Sequence, residues 1–217
     1  MPVTPQQNAQ EWDRRAGREH LHAVFSTRWS DEECLRVNAE QQALIFSRLP
    51  DLAGRSVLDL GCGIGRLTAA LAARGARVVG VDVSREMLRR AREEVPSPNV
   101  TFLHASAGSL PLPDGSIDVV VASYVFQHLL DDDLFRTAAG EIARVLVPGG
   151  LTVLTDGIGE RTHRPANSAV TVIRSWEDYA GALETGFELL DRERFLCVED
   201  EYTLTLWRRR EDPAATA

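Results

Sequence analysis

The 217-residue sequence holds no uninterrupted apolar stretch near the roughly twenty residues that a membrane-spanning helix needs. Its start, Met1-Pro2-Val3-Thr4-Pro5-Gln6-Gln7-Asn8, lacks a signal-type apolar run, so the chain is expected to be neither exported nor membrane-spanning. Cysteine is scarce: Cys34, Cys62 and Cys197 are odd in number and widely spaced, which points to a reducing cytoplasm. No H-E-x-x-H or C-x-x-C occurs, and His20, His22, His104 and His163 fall in no recognisable metal spacing, so no metal is expected. Cations are the minority sign. With 24 Lys and Arg against 32 Asp and Glu the formal charge is -8, and no general attraction for phosphate backbones or anionic lipid is built in. Nucleic acid and membrane are therefore not expected partners. Internal repeats and low-complexity segments are also missing.

What is present is an ordinary soluble composition, 44% apolar and 26% charged, at a length that buries one substantial core; one domain is expected. The strongest local signal runs from Val57 to Thr68: Val57-Leu58-Asp59-Leu60-Gly61-Cys62-Gly63-Ile64-Gly65-Arg66-Leu67-Thr68, an apolar strand pattern, a glycine-rich turn, then a helical pattern. Gly61, Gly63 and Gly65 permit positive φ and leave the turn's backbone open to a ligand. A strand feeding such a turn is the first βα unit of a nucleotide-binding α/β sheet. Arg66 stands where a dinucleotide fingerprint has its third glycine, and Asp59 lies inside the strand rather than beyond it, which disfavours a pyrophosphate ligand. A second strand pattern, Arg77 to Asp82, ends in a carboxylate whose two oxygens can accept from both hydroxyls of a ribose. The bland alternative is that Asp82 only starts a helix.

Taken in order, the first few residues, with Pro2 and Pro5, read as loose, and Gln10 to Arg28 reads as a helix or lid. Ser30 and Glu33 form a capping box for a helix presenting Cys34, Val37, Leu44, Ile45 and Leu49, which Pro50 stops. Helices are expected from Leu67 to Arg74, with Gly75 as a left-handed terminator, and from Ser84 to Glu94 with Met87, Leu88 and Ala91 inward. Val100 to Leu103 is a short strand. Ile117 to Ala122 is continuously apolar, as a central parallel strand covered on both faces must be. Asp131-Asp132-Asp133 suits a helix N-terminus, Leu134, Ala138, Ile142 and Val145 keep a helical period, and Pro148-Gly149-Gly150 turns into the strand Leu151 to Thr155. Residues 156 to 174 form a long polar connection, and Ser175 with Asp178 caps a helix bearing Trp176, Tyr179 and Leu183. Arg208-Arg209-Arg210 reads as a solvated strand end.

The h-h-D-h-G-C-G-x-G stretch and Asp82 together resemble motif I and the acidic loop of class I S-adenosylmethionine-dependent methyltransferases. The likeness continues through Leu110 to Asp118 and Ile142 to Gly150, covering roughly residues 56 to 156 in ordered blocks. It implies a Rossmann-like three-layer α/β sandwich: a mostly parallel seven-stranded sheet with an antiparallel C-terminal strand, closed by Phe187 to Phe195 and Tyr202 to Trp207, plus an N-terminal helical cap. Residues 1-49 would form the cap or lid, 50-210 the cofactor domain and 211-217 a tail. The implied cofactor is S-adenosylmethionine, its product S-adenosylhomocysteine. The resemblance gives Gly61, Cys62 and Gly63 close contact with the methionine end and Asp59 a contact with its ammonium. Asp82 would hold the ribose, with Val83 and Met87 beside the adenine. Ser106 and Ala107 stand at the adenine edge where many relatives carry Asp-Ala, and Ser123 completes the set.

The fourth-strand exit, Ser123-Tyr124-Val125-Phe126-Gln127-His128, should face the transferable methyl. It lacks the Asn/Asp-Pro-Pro-Tyr/Phe of planar-nitrogen enzymes, the Pro-Cys of cytosine-C5 enzymes, the Asp ligand of the metal-dependent catechol type and the paired glutamates of arginine methylation. A small-molecule acceptor remains. His128 is the candidate general base, or else a histidine bonded within the helix start or packed under the lid. Tyr124 is a candidate against the cofactor's methionine arm, or simply core. Trp12, Trp29 and Trp176 either line the acceptor pocket or pack. The expected protein is a cytoplasmic enzyme, monomer or homodimer, methylating an oxygen, nitrogen or carbon nucleophile of a small molecule in natural-product or small-metabolite biosynthesis. Residues 1 to 49 and 156 to 175 would form its acceptor pocket and lid. Its rivals are a cofactor-binding protein that does not use the methyl, and a nicotinamide-dependent oxidoreductase, which the G-x-G-x-G spacing disfavours.

Overall fold

A computed structural model describes residues 4–166 and 168–211. Residues 1–3 of the expected loose start and 212–217 of the expected tail lie outside the described residues. In chain order the elements are α1 (Pro5–Ala16), a 3-10 turn (His20–Ala23), α2 (Asp31–Phe46), β1 (Ser56–Leu60), α3 (Arg66–Ala72), β2 (Arg77–Asp82), α4 (Arg85–Glu94), β3 (Val100–His104) and β4 (Ile117–Ser123). A second 3-10 turn (Phe126–His128) leads to α5 (Asp132–Val145), β5 (Leu146–Asp156), β6 (Ile158–Gly159), β7 (Arg174–Ser175), α6 (Trp176–Leu183), β8 (Phe187–Cys197) and β9 (Asp200–Arg209). The main sheet has seven strands in the order β3-β2-β1-β4-β5-β9-β8. Strands β1 to β5 pair in parallel, and β9 alone runs antiparallel to both its neighbours. This is a Rossmann-like architecture.

The central strand shows why the sheet needs two covering layers. Val119 and Val121 of β4 join Ile45 of α2 and Leu67 and Leu71 of α3 in one apolar cluster. Val120 and Ala122 join Phe135, Ala138 and Ile142 of α5 and Tyr179 and Leu183 of α6 in another. Alternate side chains leave a strand on opposite faces, so an uninterrupted apolar run demands cover on both. Strand order reverses between β1 and β4, which opens a crevice beyond their carboxyl ends.

Three expectations are corrected. Pro5 is not loose but the first residue of α1: Thr4 caps it by accepting from the Gln7 amide at 3.2 Å, and the Gln7 side chain accepts from the Thr4 amide at 2.9 Å. Pro tolerates that position because the first turn has no partner for its missing N–H. Pro148-Gly149-Gly150 lies within β5, not ahead of it: Ile117 pairs with Leu146 and Val119 with Leu151, so the intervening residues bulge out of register. The connection from 156 to 174 is not wholly polar either. Val170 and Val172 are buried in it, and β6 pairs in parallel with β7. Among the described residues no helix is long and apolar enough to cross a membrane.

Candidate active site

A cleft lies beyond the carboxyl ends of β1, β2 and β4, roofed by α1 and Val24. All twelve expected site residues, Asp59, Gly61, Cys62, Gly63, Asp82, Val83, Met87, Ser106, Ala107, Ser123, Tyr124 and His128, line this one space. Its floor is the glycine turn. The Gly61 and Cys62 amides donate to the Val81 carbonyl at 2.7 and 3.0 Å, so the turn is stitched to β2. Gly61 and Gly63 sit at φ +67° and +54°; a Cβ on Gly61 would drive into the Val125 side chain, and one on Gly63 would lie 2.8 Å from Val24 Cγ1. Only glycine fits both the angle and the space.

At the β2 end Asp82 accepts from the Gly63 amide through one oxygen and from the Ser84 amide through the other, each at 2.8 Å. Burial raises its pKa, and Asp13 adds to the rise; the amides that point at it oppose both. Beside it, Met87 is buried and Val83 is exposed. Ser106 accepts from the Gly108 amide at 3.3 Å within a tight turn.

Under the glycine turn, Asp59 is buried and accepts the Thr68 hydroxyl at 2.5 Å. Burial pushes its pKa up to about 6, opposed by Thr68 and by the nearby Arg66. Arg66 is the residue that sequence reasoning undervalued, reading it only as a missing glycine. Its guanidinium lines the cleft and donates to three neutral oxygens, Asn38 Oδ1 at 3.1 Å, Gln41 Oε1 at 2.5 Å and Ser123 Oγ at 3.0 Å, and lies over the Phe25 ring at 4.9 Å. Burial pulls its pKa down. Its hydrogen-bond partners are neutral and Asp59 is a nearby carboxylate, so at the cleft wall the guanidinium can also receive an anion.

The far wall belongs to the β4 exit and the N-terminal helix. Tyr124 has φ +60°, a left-handed conformation that costs a non-glycine residue about 1–2 kcal/mol. Its hydroxyl lies 3.1 Å from Cys197 Sγ, and burial raises its pKa well above the usual phenol range. His128 donates from Nδ1 to the Val170 carbonyl at 2.5 Å, and its ring meets Trp12 edge-on at 4.8 Å. Burial pushes its pKa down to about 4, so the ring is neutral near pH 7. Behind it, Asp156 accepts the Gln127 amide at 3.0 Å and the Tyr179 hydroxyl at 2.7 Å, fixing the 3-10 turn that carries the histidine. Of the three tryptophans considered, only Trp12 lines the cleft; Trp29 packs on Phe25 and Trp176 stacks on Trp207.

A methyltransferase-domain family model matches residues 57–150. The methyltransferase GfsG of Streptomyces halstedii is 36% identical over 198 residues, 85% of this chain and 66% of that protein. A crystal structure of an S-adenosylmethionine-dependent methyltransferase from Mesorhizobium loti is 25% identical, with a TM-score of 0.65 over 77% of this chain and 96% of that one. The chain belongs to the class I S-adenosylmethionine-dependent methyltransferases. Its alignments span 42 to 66% of the length of four of the curated methyltransferases it matches. The [4+2]-cyclase SpnF, 21% identical, shares the methyltransferase fold with a TM-score of 0.75 over 98% of this chain and 99% of that one. Fold alone therefore does not name the reaction. S-adenosylmethionine is the cofactor, and the residues suit it: a carboxylate at the end of β2, a turn that carries glycine at 61, 63 and 65, and a cation beside Ser123.

Proposed function

We propose that this protein transfers the methyl group of S-adenosylmethionine to an oxygen, nitrogen or carbon nucleophile of a small molecule, in natural-product or small-metabolite biosynthesis. The observation that carries this reading is the roofed cleft, which joins the Asp82 end to a pocket closed by Asn8, Trp12 and His128. A roof formed by α1 favours a small acceptor over a polymer.

In this reading Asp82 takes the ribose hydroxyls, Val83 and Met87 flank the adenine, and the Ser106 hydroxyl and Ala107 backbone meet its edge. Gly61, Cys62 and Gly63 offer bare backbone to the methionine end, Asp59 faces its ammonium, Ser123 lies beside it, and Arg66 takes its carboxylate. The bound cofactor supplies an electrophilic methyl on a sulfonium. The chain supplies alignment and exclusion of water, which can account for much of the rate of an in-line displacement. His128 offers a neutral ring, an acceptor that takes up a proton only once the nucleophile's own proton has become acidic during transfer. The Tyr124 hydroxyl is engaged with Cys197, so this residue contributes its ring to the methionine arm.

The test is calorimetric titration of S-adenosylhomocysteine into wild type and Asp82→Ala, followed by an acceptor screen that reads its formation from S-adenosylmethionine. Losing a charge-assisted hydrogen bond costs about 1.5–3 kcal/mol, so the variant should bind tenfold weaker or worse. Wild type that binds no S-adenosylhomocysteine overturns the reading. The weak basicity of His128 favours one second reading, a protein that binds the cofactor without using its methyl; tight binding with no turnover across acceptors would select it.

A further inference from the structure

One side-chain oxygen at the acceptor end has no partner among the described residues. Asn8 of α1 donates from Nδ2 to the His128 main-chain carbonyl at 2.8 Å. A carbonyl can only accept, so this bond fixes the orientation of the amide and places the amino group toward His128. Its other atom, Oδ1, is buried and makes no hydrogen bond among the described residues. An unpaired buried acceptor costs about 1–3 kcal/mol, and a costly group kept beside a cleft calls for a ligand.

The same logic applies to the imidazole next to it. Because Nδ1 carries the proton given to Val170, the neutral ring has its lone pair at Nε2. The contact available to that lone pair is a long one, 3.4 Å to Gln127 Nε2, whose amide is oriented by its oxygen accepting from Gly157 at 2.8 Å. Asn8 and His128, the residues that carry these two acceptors, both line the cleft together with Trp12, Val24 and Leu129, and the Asn8 amide is bonded to the His128 main chain. The wall asks for donors on an apolar body and repels a carboxylate.

We propose that Asn8 Oδ1 and His128 Nε2 form an acceptor pair that selects the methyl-accepting substrate: a largely apolar small molecule that presents an O–H or N–H donor and no negative charge. Asn8 is then a specificity-determining residue. This rests on the methyltransferase reading of the cleft and adds the substrate's chemistry to it.

The test uses binding to the full chain saturated with S-adenosylhomocysteine, read by saturation-transfer NMR. The probes are phenol, 2-naphthol and cyclohexanol, each beside its methyl ether, together with 2-naphthoate. In wild type at least one alcohol should bind tenfold or more tightly than its ether, and naphthoate should bind more weakly than naphthol. Asn8→Ala should shrink the alcohol-to-ether ratio to below threefold while S-adenosylhomocysteine affinity stays within twofold, which also reports an intact fold. No discrimination in any wild-type pair, a preference for naphthoate, or an unchanged ratio in Asn8→Ala overturns the proposal. Failure of wild type to bind S-adenosylhomocysteine would instead overturn the underlying reading. If Asn8→Ala does not fold, the wild-type ratios still decide.

Discussion

Asp13 accepts the Ser84 hydroxyl at 2.7 Å, so the N-terminal helix is moored to the start of α4, two residues beyond Asp82. The same oxygen accepts from the Glu86 amide at 3.2 Å, placing a carboxylate where the first turn of α4 has unpaired N–H groups. The roof of the cleft thereby reports to the strand end that would hold the ribose.

Loosening that mooring should open the roof. Removing a helix-terminal carboxylate costs about 1 kcal/mol. Asp13→Ala is expected to raise the dissociation rate of S-adenosylhomocysteine roughly fivefold in stopped-flow displacement. An unchanged rate would show that the cap does not gate release.

Arg66 should discriminate between the two ends of the cofactor. Arg66→Met is expected to weaken S-adenosylhomocysteine about tenfold or more, the usual effect of losing a charge-assisted pair. Methylthioadenosine, which has no carboxylate, should bind both proteins within twofold. Parallel losses for both ligands would mean that Arg66 only props Ser123, Asn38 and Gln41.

Two glycines with similar backbone angles separate strain from steric exclusion. Gly54 has φ +73° and open space where a Cβ would stand, with nothing within 4 Å, whereas Gly61 has φ +67° and a Cβ there collides with Val125. Gly54→Ala should cost about 1–2 kcal/mol of stability in urea and leave cofactor affinity alone. Gly61→Ala should cost more and lower the affinity; equal effects on binding would remove the glycine turn from the cofactor site.

Asp156 makes stability pH-dependent. Burial raises its pKa from the ordinary 3.8 to about 7, so between those values the folded state binds the proton and the unfolded state does not. Its stabilising contribution is full below about pH 4 and is lost as pH rises through 7. Asp59, raised to about 6, acts in the same direction, and His128, lowered to about 4, acts in the opposite one. The readout is therefore a difference. From pH 5 to 7, wild-type urea stability should fall more steeply than that of Asp156→Asn, by at most about 1.4 kcal/mol per pH unit. Parallel curves would place the Asp156 titration elsewhere.

Local chemistry made much of this protein readable. The apolar run from Val57 to Leu60, the glycines at 61, 63 and 65, and the Ser30, Ser84, Asp131 and Ser175 caps each depend on neighbours within four residues. Each of these four residues caps its helix through its side chain. The residues expected to hold the cofactor come together in one cleft for the same reason, since they lie at strand ends that the pattern itself defines. The functional partners of His128 were not. Its pKa is lowered by burial, its tautomer is set by Val170, 42 residues later, and its main-chain carbonyl is taken by Asn8, 120 residues earlier. Arg66 likewise gains its place from Asn38, Gln41 and Ser123.

The sequence by itself determined the order of strands and helices, the bare glycine turn and the carboxylate that ends β2, because hydrophobic period, capping and φ preference act along the chain. Only the tertiary structure decided that α1 roofs the cleft, that His128 is a neutral acceptor with its proton held at Nδ1, and that Asn8 leaves an oxygen unpaired beside it. Those properties depend on burial and on hydrogen-bond partners far apart in sequence, and neither exists until the sheet has brought its carboxyl ends together under the N-terminal helix.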